Sequence, residues 1–138
     1  EPLYVARTKD PAWFREAARL LRKLHCAGVC HNDLAKEPNL LVRADGSPAI
    51  IDYQLASYSR NRSKLFRIAA YEDLRHLLKH KRYYRPDLLT QRERNILANP
   101  SPVSRLYMGT VKPVYMFVTR RLLGWADREG AADRNRQK

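Results

Sequence analysis

The feature that most constrains this chain is a change of period at Gly28. Upstream, Trp13, Ala17, Leu20, Leu21 and Leu24 recur at three- and four-residue steps, with Arg15, Arg19, Arg22 and Lys23 on the other faces. That spacing gives a helix with one apolar stripe. Asp10-Pro11 opens it, Asp10 as N-cap and Pro11 at the first helical position. Gly28 closes it, as a left-handed C-terminal cap requires. Downstream the pattern is that of a short hairpin: Leu40-Leu41-Val42, the turn Ala44-Asp45-Gly46-Ser47, then Ala49-Ile50-Ile51. Antiparallel pairing brings the outer ends of two strands together. Asn39 on entry and Asp52 on exit are therefore expected at one edge, with Asp33, on the preceding loop, within reach of it.

The remaining elements are helical. Ser57 to Lys64 is polar, basic and aperiodic, the pattern of a loop. A second helix is expected from about Leu65 to Tyr83, with Ile68, Leu74, Leu77 and Leu78 inward. Thr90-Gln91-Arg92-Glu93 is a capping box for a third, which Asn99-Pro100 ends. Pro113 can start a fourth over Val114 to Trp125. The fold class expected is α+β, mostly helical, with one small functional hairpin. One domain of residues 1–130 is expected, followed by a disordered basic tail at 131–138. The chain's 138 residues are enough for one buried core.

Charge and cysteine content narrow the setting. A formal net charge of +13, from 27 Lys and Arg against 14 Asp and Glu, predicts attraction to polyanions: nucleic acid, anionic headgroups or phosphorylated substrates. The excess lies in Arg60 to Lys64, Lys79 to Arg85, Arg92 to Arg94 and Arg120 to Lys138. Cys26 and Cys30 alone make no disulfide framework, and a reducing cytoplasmic setting is expected. No apolar run is long enough to cross a bilayer. Val114 to Val118, with Leu122, Leu123 and Trp125, forms an apolar face beside Lys112, Arg120, Arg121 and Arg128. That face packs on the core or rests, peripherally, on an anionic membrane at its inner side. The first residue is Glu1, and the chain reads as a piece of a longer one.

Asp33, Asn39 and Asp52 are the candidate chemistry. One carboxylate can orient a hydroxyl nucleophile, while an amide and a second carboxylate offer the hard oxygens that magnesium prefers. Taken singly, Asp and Asn are ordinary turn residues; it is the ordered set that carries weight. Leu24, His25, Gly28, His31, Asp33, Leu34 and Asn39, followed by Ile50-Ile51-Asp52-Tyr53, resemble the catalytic loop and metal-binding motif of the protein-kinase-like superfamily, whose pattern reads LHxxGhxHxDLxxxxN and then hhDFG. The resemblance covers the C-terminal lobe and is clearest over residues 20–54. It implies an ATP-dependent phosphotransferase that moves the γ-phosphate to a hydroxyl on a glycan sugar or a protein serine. Asp33 is then catalytic, Lys36 faces the transferred phosphate, and Asn39 and Asp52 hold Mg²⁺ and, through it, ATP. No obligate protein partner is implied. His31 is architectural, bonding backbone near Asp52. Asp73 either anchors the catalytic-loop backbone or is an exposed carboxylate paired with Arg75 or Arg67.

The departures from the pattern are specific. Asn39 stands six residues after Asp33 rather than five, which makes the placement of Lys36 an open point. Asn32 replaces the usual arginine, and Tyr53-Gln54 replaces Phe-Gly, removing an easy hinge. These features look more like the compact bacterial members, the RIO-like group and the lipopolysaccharide-core sugar kinases. No glycine-rich phosphate loop or strand lysine is present, so half of the nucleotide site is expected in preceding sequence. An alternative is a non-catalytic, kinase-like basic module that docks on nucleic acid or anionic membrane. A zinc site at His25, Cys26, Cys30 and His31 is a further alternative, with a spacing unusual for fingers or ribbons.

Overall fold

A computed structural model describes residues 1–102; the chain divides after Ser101, and Glu1–Ser101 form one compact unit. The helix expected over Val114 to Trp125, the boundary at 130 and the tail at 131–138 lie outside the described residues. Those residues are α+β: four helices and two small antiparallel sheets. The helices are α1 (Leu3–Ala6), α2 (Pro11–Cys26), α3 (Lys64–Tyr84) and α4 (Gln91–Ala98). The strands are β1 (Val29–Cys30), β2 (Leu40–Val42), β3 (Pro48–Ile50) and β4 (Ser57–Tyr58). No helix among them is long and apolar enough to cross a membrane.

Local chemistry explains most boundaries. Asp10 Oδ1 accepts the Ala12 amide at 2.8 Å at the head of α2. Thr90 and Glu93 exchange both bonds of a capping box at α4. Ser63 caps α3, which starts one residue earlier and ends one later than the periodicity predicts. The hairpin pairs Leu40 with Ile50, Leu41 with Ala49 and Val42 with Pro48. Its turn is held by Asp45, whose Oδ1 accepts from the Ser47 amide and hydroxyl. Pro2 bridges to Leu41, so the N-terminal segment adds an edge to the hairpin.

Three elements correct the expectation. Ser57–Tyr58 is a strand rather than loop, pairing with Val29–Cys30 in a second sheet. Two-residue strands carry no periodicity, and their formation depends on a partner nearly thirty residues away. The helix α1 was likewise not expected from pattern, yet its Leu3 is fully buried.

The main core joins Leu3, Trp13, Phe14, Ala17 and Leu21 to Leu34, Leu40, Ile50 and Leu77. Leu20 and Leu24, expected on the stripe, pack at its margin, while Phe14 enters it edge-on to Trp13. Each such side chain contributes about 1.5–3 kcal/mol by leaving water. Leu34 directly follows Asp33 and Leu40 directly follows Asn39, so core packing holds the backbone beside each of them. A smaller cluster, Leu78, Leu89 and Leu97, seats α4 on α3.

Gly28 is required twice over. Its φ is +83°, and a Cβ there would stand 2.8 Å from the Ser59 carbonyl oxygen, whose own amide donates to the Gly28 carbonyl. Gly28→Ala is expected to lower stability by about 2 kcal/mol or more, measured by chemical denaturation; an unchanged midpoint would contradict the β1–β4 pairing.

His76 on α3 predicts an acid-sensitive step. Its Nδ1 is buried without a partner, and burial, with the Lys79 charge adding to it, lowers its pKa from 6.5 to about 4. A depressed pKa means the unfolded chain binds the proton first. The stabilisation is complete above pH 6.5 and is lost as the pH falls towards 4, by about 2–3 kcal/mol. Thermal melts should show His76→Gln flattening that slope; identical slopes would contradict it.

Candidate active site

The site is built on a loop strapped to one face of α3. At the start of the loop Asp73, 1% exposed, accepts the His31 amide on Oδ2 at 2.7 Å and the Asn32 amide on Oδ1 at 2.8 Å. His25 Nε2 lies 3.2 Å from the same Oδ2. Of the two readings of Asp73, the structure shows the backbone anchor, while Arg75 pairs with Glu72. Two turns on, His80 Nε2 donates to the Leu34 carbonyl at 2.9 Å. Another turn on, the Tyr84 hydroxyl donates to the buried Glu37 carboxylate. Burial first, and then Glu37, push the Tyr84 phenol well above its usual range. Asp73, His80 and Tyr84 stand seven and eleven residues apart, so they share one helix face with Leu77.

His31 ties this loop to the hairpin. The Asp33 amide donates to Nδ1 at 3.3 Å, so Nδ1 must be the acceptor; Nε2 then carries the proton and donates to the Ile51 carbonyl at 2.8 Å. Its ring packs on Tyr53 with centroids 4.9 Å apart. His31 is therefore fully engaged in holding Asp33 and the residue before Asp52.

The four expected residues fall as follows. Asn39 Nδ2 donates to the Asp33 carbonyl at 3.0 Å and to Asp33 Oδ2 at 3.3 Å. Both partners are acceptors, which fixes the amide orientation and leaves Asn39 Oδ1 as the oxygen turned away from Asp33. Lys36 Nζ lies 3.1 Å from Asp33 Oδ2, with its side chain 56% exposed against 14% for Asp33. Between Asp33 and Asn39 the chain makes a 3₁₀ turn, Glu37–Asn39, with Pro38 in its first turn. Opposite, Ile51 N donates to the Asn39 carbonyl at 3.0 Å, extending the Leu40–Ile50 register and putting Asp52 one residue beyond. Asp52 is exposed, with φ +64°. Among the described residues no hydrogen bond or ion pair engages its carboxylate.

Positive φ in non-glycine residues costs of order 1–3 kcal/mol and clusters where a site needs it. Of four such residues among the described ones, two, Asn32 and Asp52, flank this site. Asn32 offsets part of its cost by donating from Nδ2 to the Leu55 carbonyl and to Ser57 Oγ, both at 2.9 Å.

Two oxygens at this edge are of the kind a hard cation takes. Asn39 Oδ1 and the Asp52 carboxylate are hard oxygens, and neither is consumed by the loop's own hydrogen bonds. The zinc quartet is not assembled. Cys26 is exposed and His31 uses both ring nitrogens. His25, Cys30 and Asp73 do approach one another, with one ligand atom of each within 4.8 Å. That trio is an anchor rather than an open metal site. Asp73 spends both oxygens on backbone amides, and the Cys30 thiol bonds the Phe66 carbonyl. Burial, reinforced by Asp73, raises the Cys30 pKa to about 11, disfavouring the thiolate a metal needs.

Sequence reasoning missed His80, Glu37 and Tyr84. The available signal was the seven- and eleven-residue spacing of polar side chains from Asp73. No family model matches the chain, nor does any curated protein or any solved structure.

Proposed function

We propose that this chain carries the catalytic loop and metal-binding edge of an ATP-dependent phosphotransferase, as the C-terminal lobe of a protein-kinase-like fold. The observation that carries the reading is the juxtaposition of Asp33, Lys36 and Asn39 on a loop anchored by Asp73, with Asp52 at the facing strand end.

In this reading Asp33 accepts, or orients, the proton of the attacking hydroxyl. Asn39 bonds Asp33 through its amide nitrogen and offers its oxygen to the cation, so one side chain sets the spacing between base and metal. Asp52 supplies the second protein oxygen. A bound Mg²⁺ would neutralise charge on the triphosphate. Lys36, half-exposed at the rim and paired with Asp33, is long enough to turn towards the transferred phosphate. The acceptor is a hydroxyl on a glycan sugar or a protein serine.

The glycine-rich cover and strand lysine are not among these 138 residues, so these residues alone should bind nucleotide in the millimolar range (~4 kcal/mol). Transfer of γ-phosphate from labelled ATP, measured on a chain that includes such a cover, tests the reading: it should require a divalent cation. Transfer that persists in chelator would overturn it.

A further inference from the structure

The segment following the site has a surface that the phosphotransfer chemistry does not use. From Tyr53 to Tyr71 the sequence contains Arg60, Arg62, Lys64 and Arg67 and no acidic residue. Four large apolar side chains in the same stretch are exposed, three of them most of all: Leu55 is 60% exposed, Tyr58 70% and Leu65 74%, against 43% for Tyr53. Arg60, Lys64 and Arg67 are exposed beside them.

The stretch is ordered rather than loose. Asn32 holds Leu55 and Ser57 from the catalytic loop, and Val29–Cys30 pairs with Ser57–Tyr58. The Arg62 amide donates to the Ser59 carbonyl, and its guanidinium caps α2 at the Cys26 carbonyl, 2.6 Å away. Ser63 then starts α3. The apolar and basic side chains are thus presented by a hydrogen-bonded support joined through Asn32 to the Asp33 loop.

We infer that Leu55, Tyr58 and Leu65, with Arg60, Lys64 and Arg67, form a docking surface for an anionic lipid bilayer. Charge complementarity selects an anionic partner. The exposed aliphatic side chains select lipid over nucleic acid, because leucine gives a base nothing to stack on, whereas it enters the headgroup–acyl boundary readily. Tyrosine suits that boundary for the same reason, apolar ring inward and hydroxyl to water. Each basic residue near such a surface contributes about fivefold to partition (about 1 kcal/mol). The inference stands independently of the phosphotransfer reading. If both hold, the surface brings Asp33 to a membrane-bound hydroxyl acceptor.

Cosedimentation of the full 138-residue chain with vesicles tests it, using phosphatidylcholine alone and phosphatidylcholine mixed with phosphatidylglycerol. The chain should partition to the anionic vesicles and be released by salt. A double variant, Leu55→Gln with Leu65→Gln, should lose about tenfold or more. A second, Arg60→Glu with Lys64→Glu, should lose about 25-fold or more at low salt, by two such contributions. The four positions are exposed, and circular dichroism melts should match the parent. The inference is overturned if the parent chain does not sediment at low salt, or if both double variants bind like it. It is equally overturned if the variants keep vesicle binding and lose only binding to a single-stranded oligonucleotide, which would make the surface a nucleic-acid one.

Discussion

Asp33→Asn is expected to lower phosphate transfer by about 10²–10⁴ while leaving nucleotide affinity nearly unchanged. General-base assistance appears only in the transition state, so its removal acts on turnover. The substitution is nearly isosteric, and Asn39 can still bond the Asp33 backbone carbonyl, which it meets at 3.0 Å. The loop should therefore keep its shape, and the loss should report chemistry rather than folding. Equal activity in the two proteins, measured with labelled ATP at saturating metal, would remove the phosphotransfer assignment.

Asp73→Ala is expected to cost about 3–5 kcal/mol of stability, most of the reserve of a small domain. The carboxylate is buried and receives the amides of His31 and Asn32 with His25 beside it. Truncation leaves the buried His31 amide, at about 1–3 kcal/mol, and the partly buried Asn32 amide without their partner. Asp73→Asn retains an acceptor oxygen and should lose only about half as much. Urea denaturation of the three proteins distinguishes the cases. A loss in Asp73→Ala below about 1 kcal/mol, the range of exposed pairs, would contradict the anchoring role.

Much of this was legible in sequence where the determinants are local. Asp10-Pro11, the apolar stripe of α2, Gly28, the Thr90–Glu93 box and the β2–β3 hairpin are each set by residues a few positions apart, and each formed close to where the spacing predicts, β3 one residue earlier at Pro48–Ile50. Hairpin geometry alone put Asn39 and Asp52 at one edge, and the Ile51 amide, one residue before Asp52, does bond the Asn39 carbonyl; the Asn39–Asp33 bond is set by the loop, not the hairpin. What stayed hidden depends on distant partners. The strands β1 and β4 exist because Gly28 lets Ser59 approach, and two residues show no alternation. His80 and Tyr84 reach loop residues 46 and 47 positions away, and on a helix rich in Lys and Arg they read as solvent-facing. Which of two roles Asp73 plays was open in sequence, since a helix carboxylate with arginines nearby satisfies either pattern. Its burial decides it.

The central claim is that Asn39 and Asp52 together hold a metal-bound nucleotide facing Asp33. Paramagnetic relaxation in ¹⁵N-labelled chain, titrated with Mn²⁺ and ATP into the millimolar range, tests it most directly. It needs neither an acceptor nor turnover. The expected result is broadening centred on the Asn39 side-chain amide and the Asp52 backbone amide, abolished by Asp52→Ala. Broadening centred instead on His25, Cys30 and Asp73, or unchanged by Asp52→Ala, would contradict it.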